Sequence, residues 1–267
     1  MNRALHSGTL LVTGVKLWSA LHSETWRHRE AAVTAFLEYL EDPMLEKYIG
    51  KTRMLFLAAM DVSKAACLDK LLQIYMIGLD ILHKAMNSEI CGEDVQPKDV
   101  NNSLRPLIPH IIEKICELNY RARDKSLVIL IDVFRHPKAD VRVLIENIMD
   151  ITEKGPQPDK APWNVLMARL EILYRVITEF GIDDKAWNWE AVFTSLVCQS
   201  FFNQNHEVRE MAVEIAALLY SLKGEEVRNM VNEVENMRPN MLKTVMKRMD
   251  GIEEGKLGKF AKGNNLE

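Results

Sequence analysis

Apolar residues recur at helical spacing along nearly the whole of this sequence, and that regularity restricts the chain to helix-on-helix architectures. The clearest run is Leu104, Leu107, Ile108, Ile111, Ile112, Ile115 and Leu118, at i, i+3, i+4, i+7, i+8, i+11 and i+14, which predicts one face of one helix. The same template fits Val33, Phe36, Leu37 and Leu40, then Leu68, Leu71, Leu72, Tyr75, Leu79 and Leu82, then Leu127, Leu130, Ile131 and Phe134. It continues through Trp189, Val192, Phe193, Leu196 and Val197, through Val208, Met211, Ala212, Ile215 and Leu219, and on to Leu242, Val245, Met246 and Met249. No stretch alternates with period two for long enough to make a strand. The chain therefore reads as all-α.

Turn chemistry separates these segments. Sharp stops at Glu41-Asp42-Pro43, His136-Pro137 and Arg238-Pro239 alternate with polar connections at residues 22–25, 65–67, 119–121 and 203–206. Two longer connections are expected, Asn87 to Ser103 and Lys154 to Pro162; the second holds three prolines in nine residues, which excludes a helix there. The breaks predict about twelve helices of ~12 to 20 residues joined in pairs, a stack of six helical hairpins.

Internal similarity supports the stack. Arg29-Glu30-Ala31-Ala32-Val33 aligns with Arg123-Asp124-Lys125-Ser126-Leu127 and with Arg209-Glu210-Met211-Ala212-Val213, at offsets of 94 and 86 residues. Each offset is two repeats of about 40 to 47 residues, the period of solenoids whose helix pairs bury their faces only by stacking on neighbours. The segment Asn205 to Ala212 resembles HEAT repeats in its polar turn, Val-Arg pair and small residue. The expected organisation is one HEAT-like α-solenoid over residues 9–250, with flexible ends at 1–8 and 251–267.

Composition narrows the function classes. Thirty-four Lys and Arg against thirty-eight Asp and Glu give a net charge of −4, without the basic surplus that nucleic-acid binding requires. Apolar runs such as Leu127 to Ile131 fall far short of the roughly 18 residues needed to span a membrane. Cys67, Cys91, Cys116 and Cys198 form no CxxC pair and no disulfide framework, pointing to a reducing compartment. His206-Glu207 lacks the second histidine of a zinc-protease helix, and the glycines at 251, 255 and 258 precede no GK[ST] motif. The sequence thus offers no catalytic residue, no metal site and no cofactor site, and an enzyme is not expected.

One segment carries a specific resemblance. Ser23-Glu24-Thr25-Trp26-Arg27-His28-Arg29-Glu30-Ala31 resembles the first intra-repeat loop of TOG domains, six-HEAT-repeat modules of microtubule polymerases and rescue factors. In those loops a Trp and basic residues precede the second helix of the first repeat. The resemblance extends over about residues 9 to 250, through Glu179-Phe180-Gly181 and the turn from Asn205 to Arg209. Within the family, several phrases are similar to the TOG domain of a ciliary-tip centrosomal protein that also has jelly-roll, coiled-coil and zinc-finger regions.

The resemblance implies a partner and a binding edge. TOG domains set their intra-repeat loops against a curved, unpolymerised αβ-tubulin heterodimer. The residues it implies are Trp26, Arg27 and Arg29 in the first loop, Lys70 in the second, Arg121 and Arg123 in the third, Lys154 and Lys160 in the fourth, and Asn205, His206 and Arg209 in the fifth. A cytoplasmic, cytoskeletal location follows, with centrosome and cilium tip implied by the narrower similarity. The absence of sustained heptads predicts a monomer binding one heterodimer. From the residues alone, Trp26 lies seven before Val33 and fits the apolar stripe of its own helix. Arg29, Arg123 and Arg209 fit an internal ladder of arginines as well as a tubulin contact. The competing function is a HEAT scaffold for other proteins, such as a kinase or phosphatase. An exposed Trp26 favours tubulin; a buried one favours the scaffold.

Overall fold

The computed structural model describes residues 16–42, 52–117, 119–154, 162–184 and 186–253. All regular secondary structure among them is helical. The chain divides into two compact units, residues 1–143 and 144–267.

In the first unit a short helix at residues 16–21 precedes α1 (Trp26–Glu41), α2 (Thr52–Cys67), α3 (Leu72–Ala85), α4 (Pro97–Leu104), α5 (Ile108–Ile115) and α6 (Tyr120–Phe134). Helix α3 packs between α1 and α6, while α2 lies against α3 and α5 against α6. Alternate helices therefore form two layers, as stacked hairpins require. The core between them holds Val33, Phe36 and Leu40 of α1, Phe56 and Val62 of α2, Tyr75 and Leu79 of α3, and Leu130 of α6. At Gly78 the layers approach so closely that an added Cβ would lie 2.8 Å from the Ala66 Cβ.

Ion pairs link consecutive hairpins at the repeat spacing inferred from the sequence. Arg29 pairs with Asp69 at 2.6 Å, Lys125 with Asp80 at 2.7 Å and Arg53 with Asp99 at 2.7 Å, across 40, 45 and 46 residues.

Three expectations change here. The run from Leu104 to Ile115 is one buried face but two helices, because Pro106 has no N–H to continue the ladder and residues 105–107 form a turn. Leu118 lies outside the described residues. The connection expected between Asn87 and Ser103 contains α4, whose first turn is set by Pro97 and by Asp99 accepting the Gln96 N–H at 3.2 Å. Leu68 and Leu71, placed by periodicity on a buried stripe, are exposed in the turn between α2 and α3. Asp69 accepts the Leu71 N–H there at 2.9 Å, so the chain bends before α3 begins.

The boundary between the units falls within α7 (Val141–Lys154). Beyond it follow α8 (Trp163–Phe180), α9 (Trp189–Val192) continued by a π-helical turn Phe193–Cys198, α10 (His206–Lys223), α11 (Glu225–Asn232) and α12 (Pro239–Glu253). Helix α10 packs against α8, α11 and α12. Arg169 of α8 donates to the Asn147 and Ile148 carbonyls of α7, at 2.6 and 2.7 Å. Gly181 and Gly224, with φ of 71° and 64°, end α8 and α10 in a backbone conformation that residues with a Cβ rarely adopt.

The architecture is the expected HEAT-like solenoid of paired helices. Helices α4, α5 and α11 have eight residues each, shorter than periodicity predicted. Residues 251–253, expected to be part of a flexible end, belong to α12. The remaining expected ends, 1–8 and 254–267, lie outside the described residues.

Candidate functional site

In the first unit, short polar connections lead into the first residues of α1, α3 and α6. Each turn is closed by a side chain: Ser23 Oγ accepts the Thr25 N–H at 3.2 Å, Asp69 accepts that of Leu71, and Asn119 Oδ1 accepts those of Arg121 and Ala122 at 3.1 and 3.3 Å. Trp26 and Tyr120, which open α1 and α6, and Leu71, just before α3, are exposed.

Trp26 opens α1 and is 45% exposed, with the Arg27 guanidinium 5.5 Å from its ring centroid. The buried stripe of α1 thus does not extend back from Val33 to Trp26. Tyr120 opens α6 and is 65% exposed, with the Arg121 guanidinium 5.9 Å from its ring and Nε donating to the phenolic oxygen at 3.2 Å. The same aromatic–arginine pair thus occurs twice in the unit, at the same helix position. Between the two pairs runs a groove of about 680 Å³ lined by Trp26, Leu71, Leu72, Ile77 and Arg121, with Glu30 and Asp80 also on its walls.

Arg29 faces inward. Its Nη1 donates to the carbonyls of Ser23 and Glu24, at 2.9 and 3.1 Å, while Nε holds Asp69. The ion pair raises the Arg29 pKa. Burial would raise the Asp69 carboxyl, but hydrogen bonds from Arg29 and the Leu71 amide outweigh it and hold the group below the usual carboxylate range. Lys70, beside Asp69, is exposed. Arg123 is half-buried and engaged by other groups.

In the second unit, Arg209 repeats the Arg29 arrangement: its Nη1 donates to the Asn203 and Gln204 carbonyls at 2.8 Å each. Asn205 caps α10 by accepting the Glu207 N–H at 2.8 Å. His206 is exposed, with Nδ1 3.3 Å from Glu210. Lys154 is the last residue of α7, and its side chain and the whole of Lys160 lie outside the described residues. Trp163, the first residue of α8, is an exposed aromatic as well.

Sequence reasoning missed Tyr120, Leu71 and Trp163. For Tyr120 the signal was present: Trp26, Tyr120 and His206 each stand three residues before the aligned arginines 29, 123 and 209. Leu71 was hidden because its spacing matches the buried stripe of α3.

The assembled groups are stacking faces, apolar area and guanidinium donors, which is the chemistry of a protein-binding surface. No group of three or more His, Cys, Asp or Glu side chains among the described residues could hold a metal ion. No described helix is long and apolar enough to cross a membrane.

The stack of paired helices is the fold of solved TOG domains. The TOG domain of human Cep104 superposes with a TM-score of 0.72 at 16% identity, covering 94% of this chain and 96% of that one. Another CEP104 TOG domain gives 0.69 at 17% identity, covering 95% and 98%. A third structure, of microtubule polymerases with TOG domain arrays described for tubulin recruitment and assembly, gives 0.66 at 11% identity, covering 87% of this chain and 45% of that one. The family model described as centrosomal protein CEP104, TOG domain, matches residues 6–215, and the chain belongs to that family. No curated protein sequence matches it. TOG domains as a family are associated with tubulin and microtubules.

Proposed function

We propose that this chain is a non-catalytic tubulin-binding module that engages one curved αβ-tubulin heterodimer through its intra-repeat connections. The observation that carries the reading is the exposure of Trp26 with Arg27 stacked on it, at the loop where the TOG resemblance places a contact. A rigid aromatic beside a cation suits a partner pocket rimmed by carboxylates, and tubulin is acidic. The tubulin recruitment described for the TOG-array polymerases supports the same partner.

On this reading Trp26, Arg27, Lys70 and Arg121 meet tubulin directly, while Arg29 and Arg209 shape the connections that carry the contacts. Lys154, Lys160, Arg123, Asn205 and His206 supply the remaining contacts. The single domain, over residues 9 to 250, acts as a monomer, with a role in microtubule regulation at the centrosome or cilium tip.

Size-exclusion chromatography with light scattering on the chain mixed with unpolymerised tubulin tests the proposal. A 1:1 complex is expected. No complex at tens of micromolar, or a stable homodimer of the chain, would reject it.

A further inference from the structure

We propose that the groove between Trp26–Arg27 and Tyr120–Arg121 is a docking cleft for a segment of tubulin that carries an apolar side chain flanked by carboxylates. The binding edge of residues 1–143 then has two aromatic anchors, Trp26 and Tyr120, with Leu71 as the apolar contact between them. The inference rests on the tubulin-binding reading above and specifies what that surface recognises.

The recurrence of the pair is the first support. An exposed ring with a guanidinium 5.5 or 5.9 Å from its centroid opens both α1 and α6, and both helices pack on α3. The pairs therefore stand as two posts on either side of α3. Tyr120, 65% exposed, leaves most of its ring against water in the free chain, so its contact area is available to a ligand.

The floor is the second support. Between the posts the chain presents Leu71, 38% exposed, then Leu72 and Ile77 of α3, so the groove is apolar where the posts are cationic. Arg27 is engaged by the Trp26 ring, and Arg121 by the ring and hydroxyl of Tyr120. Among the described residues both keep guanidinium N–H groups without a carboxylate. Asp80 on the groove wall is held by Lys125 at 2.7 Å, which leaves Glu30 as the acidic group facing the cleft. The complementary occupant has an apolar centre and acidic flanks, as a surface segment of an acidic protein can provide.

The cleft predicts a division of effects that a row of charged loop contacts would not give. Apolar burial is nearly independent of ionic strength, whereas the arginine contacts weaken as salt rises.

The test is tubulin affinity of the full chain and its variants, measured by isothermal titration calorimetry at two salt concentrations, with thermal melts as folding controls. Leu71→Ser and Tyr120→Ala each should weaken binding at least about fivefold while leaving its salt dependence unchanged. Arg121→Gln should flatten the salt dependence, and Tyr120→Phe, which keeps the ring, should bind within about twofold of wild type. All three positions are exposed, so the melts should not move. Leu71→Ser and Tyr120→Ala both binding like wild type, with Trp26→Ala impaired, would overturn the cleft and leave the tubulin reading standing. Self-association of the chain that depends on Tyr120, with tubulin affinity unaffected by its loss, would assign the groove to a second copy and also overturn it. Absence of wild-type binding would reject the functional reading and the cleft together.

Discussion

Arg29 and Asp69, forty residues apart, form an ion pair at 2.6 Å that ties the connection before α1 to the connection before α3. Because Arg29 also grips the Ser23 and Glu24 carbonyls, one side chain sets the shape of the first loop and its position against the second. Arg209 holds its own loop carbonyls in the same way, so Arg29 and Arg209 are structural parts of their repeats. Arg29→Ala should lower the melting temperature and weaken tubulin binding together, whereas loss of a purely contacting residue separates the two. Melting curves and affinities measured on the same preparations check this.

The Asp69 carboxyl titrates below its ordinary value of 3.8, so its interactions stabilise the fold fully above that pH. The contribution is lost as pH falls through the depressed value. Asp69→Asn should therefore melt below wild type at pH 7, and the gap should narrow as the pH falls below 3.8. A constant gap across that range would show that the charge on Asp69 is not what holds the loops.

Trp26→Ala should weaken tubulin binding by at least about tenfold, or ~1.4 kcal/mol, with little change in melting temperature. Arg27→Ala should fall between that variant and wild type, and Lys154→Ala alone should do little. Raised salt should weaken wild type and Trp26→Ala by similar factors, because the cations remain in both. A large melting shift for Trp26→Ala, with normal binding by the folded fraction, would place Trp26 in the core.

Gly78 sits in the middle of α3, where alanine would ordinarily improve the helix by about 1 kcal/mol. Here the added Cβ meets Ala66 Cβ at 2.8 Å and the Cys67 nitrogen at 3.0 Å, so overpacking outweighs propensity. The Ser63 hydroxyl, donating to the Gly78 carbonyl at 2.9 Å, fixes the same close approach. Urea unfolding of Gly78→Ala should show a net loss of about 1 kcal/mol or more, and Gly78→Val a larger one.

Tyr75 and Ser126 share a buried hydrogen bond of 2.5 Å between α3 and α6. Ser126→Ala strands the phenolic hydroxyl and should cost about 1–3 kcal/mol. Tyr75→Phe in the same chain removes the stranded group and should recover part of that loss. A double-mutant cycle by chemical unfolding separates this outcome from simple additivity.

Burial pushes the Cys67 and Cys198 thiols up to about 12. At pH 8 they are protonated and enclosed, while Cys116 is only half-buried. A thiol reagent applied to the native chain, followed by peptide mapping, should modify Cys116 well before Cys67 or Cys198.

Periodicity was enough to establish an all-α solenoid, because each helix must bury one stripe and that stripe is written in i, i+3, i+4 spacing. The repeat length was legible too, since Arg29 and Arg209 recur for the same local reason, to hold their own loop carbonyls. What periodicity could not convey was where a stripe stops being covered. Leu71 matches the buried pattern of α3 and Trp26 that of α1, yet both are exposed. Leu104 to Ile115 share one buried face although Pro106 divides the helix, because burial follows the face and hydrogen bonding follows the backbone. The sequence by itself thus determined the all-α class, the repeat spacing and the candidate loops. Only the tertiary structure decided that Arg29 and Arg209 hold their own loop carbonyls and that Trp26, Leu71 and Arg121 line one groove, because exposure depends on how the helices pack and not on spacing along one of them.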